Sequence, residues 1–201
     1  MKNLGIGCDI VDLKQYGPPF HLRYFKRVLS PSEQIKVGND LLMLQCHWAA
    51  KEAAFKALSS LHAGLVFAPS KFEFVKDESI VIYNGVERIK SELKVEDKDG
   101  YVSCLCVAGS KRPEDENCCY YIDSIKAHEN PSIEVRRLLL KEAASFFKVD
   151  QEVLEVVQDK KDLSAKSLPI LINTITKERF LISLSHDGRF LMCALIGYPS
   201  M

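Results

Sequence analysis

WAAKEAAFKAL, residues 48–58, is the most informative stretch for predicting the fold, because it indicates a long helix and because part of it occurs twice. Its alanine, leucine, lysine and glutamate residues are good helix formers, and we expect a helix over about residues 40–60. KEAA stands at 51–54 and again at 141–144, an offset of 90 residues (141 minus 51). YVSCLCVAG begins at 101 and RFLMCALIG at 189, an offset of 88 (189 minus 101). Two similar offsets at corresponding places predict a duplicated chain.

The two parts of the chain repeat one order of elements, a strand, then a helix, then several strands. The predicted elements of the first part are a strand over 3–11, a short helix over 20–30, a helix start at Ser30, the long helix, and strands over 71–75, 79–83, 86–95 and 101–109. Those of the second part are a strand over 118–125, a helix over 131–147, and strands over 168–173, 179–185 and 189–197.

We therefore predict an α+β fold of two similar halves, each with a helix packed on a small antiparallel sheet, related by a pseudo-twofold axis. Residues 1–110 form the first half, the polar and charged stretch 111–117 is a linker, and residues 118–201 form the second half. Paired halves of this kind leave a cleft between them, and such clefts are favoured binding sites.

Composition narrows the classes of function. Lysine plus arginine equals aspartate plus glutamate at 27 each, so no net charge favours nucleic acid or a membrane surface. No apolar run approaches the roughly 20 residues that cross a bilayer. The seven cysteines lack the spacing of zinc sites, and the start of the chain does not resemble a secretory signal. We expect reduced structural thiols in a cytoplasmic protein.

Two places in the first half carry groups suited to chemistry. Asp9 follows two glycines on the first strand, where it is either an ordinary strand-end aspartate or a ligand close to bare backbone. Glu52 and Lys56 lie four residues apart on one face of the long helix. They form either a surface ion pair, contributing a few tenths of a kcal/mol, or part of a site on an unusually apolar helix.

A third candidate lies near the end of the chain, in SHDG at 185–188. It falls between two apolar runs, which predicts a hairpin turn that uses the glycine. A catalytic triad is excluded because adjacent residues cannot point at one another in the required relay. His186 is either structural or a donor to an anionic ligand, aided by Arg189.

Asp9 and Glu52 together suggest a metal site. Two carboxylates without paired histidines or thiolates are hard oxygen ligands, which suit Mg²⁺ with water and phosphate oxygens in the remaining positions. Mg²⁺ held in this way serves phosphoryl or pyrophosphate chemistry.

Four stretches in order resemble the 4′-phosphopantetheinyl transferase superfamily. Its short holo-acyl-carrier-protein synthases carry GIGxDIVEI, FAxRxLTxxE, FAAKEAxxKAL and a late SISH. This chain has GIGCDIVDL (5–13), FKRVLSPSE (25–33), WAAKEAAFKAL (48–58) and ISLSH (182–186). The matches reach both ends of the chain, and four in order are far more specific than any one of them.

The resemblance implies a reaction, its cofactor and its partners. A serine of an apo acyl or peptidyl carrier protein would attack coenzyme A, giving the phosphopantetheinylated carrier and adenosine 3′,5′-bisphosphate. Asp9 and Glu52 match the family's Mg²⁺ ligands, and Glu52 or Lys56 could take the serine proton. Ser185 and His186 match residues that hold the nucleotide end of coenzyme A.

The chain also departs from the family pattern. Its duplication resembles the surfactin-synthetase type, which implies a monomer with one cleft, but here the metal motifs come first and the SH motif last. A further acid of that type is replaced by Val11. The usual Gly-Lys-Pro is Ser167-Leu168-Pro169, for which Lys160, Lys161 or Lys166 could substitute as coenzyme A contacts. The rival function is a non-catalytic module that binds a carrier protein or coenzyme A.

Overall fold

Two antiparallel sheets of five strands form the protein in the computed structural model, which describes residues 4–16, 22–62, 64–96, 100–109, 117–159 and 168–197. The first sheet, in the order β1-β5-β4-β3-β2, comprises β1 (Gly5–Asp12), β2 (Phe72–Val75), β3 (Ile80–Tyr83), β4 (Glu87–Glu96) and β5 (Tyr101–Ala108). Its helices are α1 (Leu22–Val28), α2 (Pro31–Val37) and α3 (Leu41–Ser59).

The second sheet repeats this order as β6-β10-β9-β8-β7. It comprises β6 (Cys118–Ser124), β7 (Leu154–Asp159), β8 (Leu168–Asn173), β9 (Arg179–Asp187) and β10 (Phe190–Ile196), with α4 (Pro131–Phe147) as its helix. The predicted α+β fold of two similar halves is confirmed. The boundary between the halves stays a prediction, because residues 111–116 of the predicted linker lie outside the described residues.

The structure corrects one offset of the duplication. Cys104 of β5 and Cys193 of β10 both face the helix of their own half, so the two strands correspond at an offset of 89 (193 minus 104). The offset of 88 read from the sequence is therefore wrong by one residue. At that offset, residues that face the helix in one strand would be matched with residues on the opposite face of the other strand. At the corrected offset Tyr101 corresponds to Phe190, and the two rings contact each other at 4.9 Å between centroids. Contact between equivalent residues is typical of a twofold interface.

Two further predictions need correction. β7 was not predicted, because it is a short edge strand whose polar residues interrupt its apolar pattern. The predicted turn at 185–188 is also shifted, because β9 continues through Asp187 and the hairpin turn consists of Gly188 and Arg189. Ser185 and His186 are therefore strand residues that pair with Met192 and Leu191 of β10.

The faces of the two sheets that lie away from the helices pack against each other. Alternate residues of β1, β5 and β10 point into this layer, as period-two alternation requires. The buried members of this inter-sheet core are Ile6, Cys8, Ile10, Tyr101, Leu105, Val107, Phe190, Met192, Ala194 and Ile196. β1 thus lies between α3 on one face and the second sheet on the other, which explains why all eight of its residues are buried.

All seven cysteines are free thiols. No helix within the described ranges is long and apolar enough to cross a membrane.

The two glycines of β1 set the distance between the strand and α3. A Cβ atom at Gly7 would lie 1.9 Å from the carbonyl oxygen of Ala53, and one at Gly5 would lie 2.0 Å from that of Ala57. Both alanines are fully buried on the face of α3 that meets the strand. Small residues on both elements therefore let the backbones of β1 and α3 touch, and this close packing brings Glu52 and Lys56 of α3 near Asp9 of β1.

We expect Gly7→Ala to disrupt the packing of α3 on β1, because the new methyl group meets helix backbone that cannot move aside. Thermal unfolding should show a loss of several degrees or more, or no folded protein. Gly64→Ala is the matched control, since nothing lies within 4 Å of its Cβ position and only its positive φ of 77° opposes alanine, at a cost of about 1–2 kcal/mol. Equal losses in the two variants would contradict the close-packing argument.

The opposite side of α3 is fixed by a buried charge network around Glu33. Its Oε1 accepts hydrogen bonds from the Phe74 amide at 2.9 Å and lies 3.0 Å from His47 Nδ1. Its Oε2 accepts from Lys51 Nζ at 2.5 Å and from the Ser30 amide at 2.7 Å. Burial alone would raise the pKa of Glu33, but the hydrogen bonds and the Lys51 charge lower it to about 2. One carboxylate thus ties α2, α3 and β2 together.

We expect Glu33→Gln to lower the free energy of unfolding by about 3–5 kcal/mol near neutral pH, because it leaves the buried Lys51 ammonium without its counter-ion. The pKa of Glu33 is lowered on folding, so its stabilisation is complete above the ordinary value of 4.5 and is lost as the pH falls towards 2. Urea unfolding at pH 7, 4.5 and 3 should show the difference from wild type shrinking.

Glu78→Gln is the control for this variant, because Glu78 pairs with Arg88 on the surface and such pairs contribute at most about 1 kcal/mol. A Glu33→Gln effect as small as that of the control would show that the network does not stabilise the fold.

Candidate active site

A polar cavity of about 320 Å³ lies where β1, α3 and β9 meet, between the two halves. The residues that line it are Asp9, Ile10, Val11, Tyr16, Trp48, Glu52, Lys56, Leu184, Ser185, His186 and Asp187. The candidates from the GIGCDIVDL, KEAA and SH motifs are therefore brought together from positions as much as 177 residues apart, between Asp9 and His186.

The open edge of β1 creates this meeting point. β1 pairs with β5 on one side only, so amides on its other edge need different partners. Side chains on one face of β9 supply them: Ser183 Oγ accepts from the Cys8 amide and Asp187 Oδ2 from the Asp12 amide, both at 2.9 Å. Between these two residues, Ser185 points at Asp9. The cavity thus begins where side chains replace a neighbouring strand.

Asp9, Lys56 and Ser185 form a compact hydrogen-bonded group. Lys56 Nζ donates to Asp9 Oδ1 at 2.8 Å, to the Cys8 carbonyl at 2.9 Å and to Ser185 Oγ at 3.2 Å. Ser185 Oγ in turn donates to the same Asp9 Oδ1 at 2.7 Å. Burial alone would lower the pKa of Lys56, but the carboxylates of Asp9 and Glu52 raise it, so Lys56 remains an ammonium.

Glu52 lies on the cavity side of α3, half-buried. Burial and the nearby Asp9 carboxylate raise its pKa, while Lys56 lowers it less. The ion pair of Lys56 is made with Asp9 and not along the helix. A simple surface salt bridge between Glu52 and Lys56 therefore does not describe these residues.

The second-half candidates take different places. His186 is exposed at the cavity, where its Nε2 lies 3.3 Å from Ser132 Oγ in the first turn of α4. Arg189 instead binds the carboxylate of Asp12. Its backbone amide and Nε donate to Asp12 Oδ2 at 3.0 and 2.8 Å, and its Nη2 donates to Asp12 Oδ1 at 2.6 Å. These bonds hold the pKa of Asp12 at about 2. Lys166 lies outside the described residues.

Tyr16 and Asp187 also line the cavity, although neither was predicted as a site residue. Burial raises the pKa of Asp187, and the carboxylates of Asp9 and Asp12 raise it further. Burial together with the neighbouring Asp187 charge raises the pKa of Tyr16 to about 12. Asp187 stands within SHDG and could have been noticed as a cavity acid. Tyr16 carries no local signal, because only folding brings it to the cavity.

A family model described as the 4′-phosphopantetheinyl transferase superfamily matches residues 5–106, which include Asp9, Glu52 and Lys56. The chain belongs to this superfamily. Membership supports a transferase that moves phosphopantetheine. Phosphopantetheinyl transferases act on carrier proteins with coenzyme A as substrate and typically use Mg²⁺. No curated protein and no solved structure matches the chain.

The cavity fits the divalent cation that phosphopantetheinyl transferases typically use. Asp9, Glu52 and Asp187 line it with three carboxylates against the single ammonium of Lys56. The described residues contain no group of three or more histidine, cysteine, aspartate or glutamate side chains placed to hold a metal. Asp9 and Glu52 would supply two oxygens, and the remaining ligands would come from water and substrate, as Mg²⁺ allows.

Asp12 and Arg189 together fix the β9–β10 hairpin of this transferase against β1. We expect Asp12→Asn to lower amide protection in residues 184–192 by about 10–100-fold in hydrogen exchange, because it replaces charge-assisted hydrogen bonds worth about 1.5–3 kcal/mol with weaker ones. Asp123→Asn, on the exposed end of β6, is the control and should leave protection unchanged. Unchanged protection in Asp12→Asn would mean that other contacts hold the hairpin.

Proposed function

We propose that the protein transfers 4′-phosphopantetheine from coenzyme A to a serine of an apo acyl or peptidyl carrier protein in an Mg²⁺-dependent reaction, as a holo-acyl-carrier-protein synthase does. The observation that supports this most is the excess of carboxylates over cations in the cavity that holds Asp9, Glu52 and Lys56. An anionic pyrophosphate would be repelled from such a cavity unless a cation accompanied it.

In the proposed reaction, the serine oxygen of the carrier attacks the β-phosphorus of coenzyme A. A new P–O bond forms, and the bond from that phosphorus to the bridging oxygen breaks. The bridging oxygen keeps the electron pair and leaves as part of adenosine 3′,5′-bisphosphate. The serine proton passes to a base, so that atoms and charge balance.

Asp9 and Glu52 are the residues that would hold Mg²⁺. Bound there, the ion would neutralise charge on the pyrophosphate as it develops in the transition state. Without a cation, burial and Asp9 make the ionised form of Glu52 unfavourable, as its raised pKa indicates. A cation between the two carboxylates would relieve this repulsion, and this supports their pairing as ligands.

The contacts of Lys56 support Glu52 as the base. An ammonium has three donors, and Lys56 directs them at Cys8, Asp9 and Ser185. As an ammonium with no lone pair, it cannot accept the serine proton. The positive charge of Lys56 instead offsets the negative charge of Asp9. The Lys56 side chain is 27% exposed, and it lines the cavity. Glu52 retains a carboxylate at the cavity and would accept the proton directly or through water.

We assign His186 to the nucleotide end of coenzyme A, since it is exposed where β9 meets the first turn of α4. A contact from Lys166 remains part of this proposal on the resemblance alone. Arg189 is engaged with Asp12, which supports a role in holding the hairpin more than a direct contact with substrate. The cavity is built from both halves of one chain, which supports a monomer, and we propose a cytoplasmic location.

The proposal is tested by incubating the protein with Mg²⁺, coenzyme A and apo carrier proteins of fatty-acid, polyketide and peptide synthesis, and following carrier mass. We expect a phosphopantetheine-sized increase with at least one carrier. Asp9→Asn and Glu52→Gln should slow it by about 100-fold or more, the size typical of losing one charge-stabilising group. A chelator should stop it.

Glu142→Gln is the matched control, because Glu142 occupies the position of Glu52 in the second KEAA but belongs to the other half. It should transfer at the wild-type rate. Coenzyme A binding without transfer to any carrier would favour the non-catalytic binding module, and equal losses in Glu142→Gln and Glu52→Gln would contradict the assigned site.

A further inference from the structure

Ser185 makes a contact that its family match does not account for. The resemblance assigns it to coenzyme A, yet only 6% of its surface is exposed, and its hydroxyl points at Asp9. Asp9 is itself 7% exposed. The two residues come from different halves of the chain and meet at 2.7 Å.

The direction of each hydrogen bond in this group is fixed by chemistry. Lys56 has donors only, so Ser185 Oγ must accept from Nζ at 3.2 Å. The single hydroxyl hydrogen of Ser185 is then free for Asp9 Oδ1. Oδ1 therefore receives two donors, one from α3 and one from β9. A carboxylate held in this way by one oxygen has a defined rotation, which sets where its other oxygen points.

We infer that Ser185 is a positioning residue that orients the Asp9 carboxylate, jointly with Lys56, so that Oδ2 is presented to the metal ion. The inference rests on the proposed function, because it assigns Asp9 as a metal ligand. Groups that hydrogen-bond a metal ligand orient it, and their loss typically weakens metal affinity by 10–100-fold. The second half thus contributes to the metal site without supplying a ligand.

Ser183 provides a matched comparison within the same strand. It is 5% exposed, points to the same side of β9 and also bridges the halves. Its hydroxyl, however, accepts from the Cys8 backbone amide at 2.9 Å, whereas the hydrogen bonds to Asp9 Oδ1 come from Lys56 and Ser185. Removing this hydroxyl should therefore disturb the interface between the halves and leave the orientation of Asp9 unchanged.

The test measures Mn²⁺ affinity of the full chain by calorimetry and electron paramagnetic resonance, with coenzyme A present and no carrier protein. We expect Ser185→Ala to bind Mn²⁺ about 10–100-fold more weakly than wild type, Ser183→Ala within about threefold, and Ser185→Thr, which retains a hydroxyl, close to wild type. In transfer assays, excess Mg²⁺ should restore most of the activity of Ser185→Ala while the KM for coenzyme A stays unchanged.

Normal Mn²⁺ affinity in Ser185→Ala together with a raised KM for coenzyme A would overturn the inference, because Ser185 would then be a substrate contact. A loss of Mn²⁺ affinity in Ser183→Ala equal to that in Ser185→Ala would also overturn it. So would the absence of Mn²⁺ binding by the wild-type protein. If Ser185→Ala does not fold, the test uses Ser185→Thr. Weakened Mn²⁺ affinity in that variant at wild-type stability would count against the inference. Failure of the proposed function is separate, since wild type would then bind Mn²⁺ in the same titration but modify no carrier.

Discussion

The free edge of β1 is the constraint on which the site depends. A buried edge strand must have its amides satisfied, and here side chains of β9 satisfy them through Ser183 and Asp187. Because side chains on one face of a strand recur every second residue, the residue between these two must also point at β1. That residue is Ser185, and it meets Asp9. Satisfying a backbone edge thus fixes the geometry of an ionic site.

The same strand is fixed on its other face by α3. Gly5 and Gly7 let the helix backbone touch the strand, and this short distance brings the side chains of Glu52 and Lys56 to the cavity. The far side of α3 is anchored through Glu33, which is buried with its partners. A helix held on both sides has little freedom to tilt, which suits a site whose charges must face one another at hydrogen-bond distance.

The duplicated frame carries Asp9, Glu52 and Lys56 in the first half only. At the corrected strand offset, Tyr121 of β6 occupies the place of Asp9, since its pairing with Cys193 matches that of Asp9 with Cys104. On the helices, KEAA retains Glu142 in the place of Glu52, but Phe146 replaces Lys56. The second half has exchanged the ionic group for aromatic packing and contributes β9 to the site of the first half.

Periodicity is local, so the fold class and the long helices could be predicted from the sequence, and the family resemblance indicated that Asp9, Glu52 and His186 belong to one site. The partners of Ser185 and Arg189 could be identified only from the fold, because Asp9 and Asp12 lie 176 and 177 positions away from them along the chain. Such partners depend on which sheet faces meet and in which register. A one-residue slip, like that between offsets of 88 and 89, moves every side chain to the opposite face of the strand. The sequence pattern did not reveal it here because β5 and β10 are buried on both faces and lack alternation.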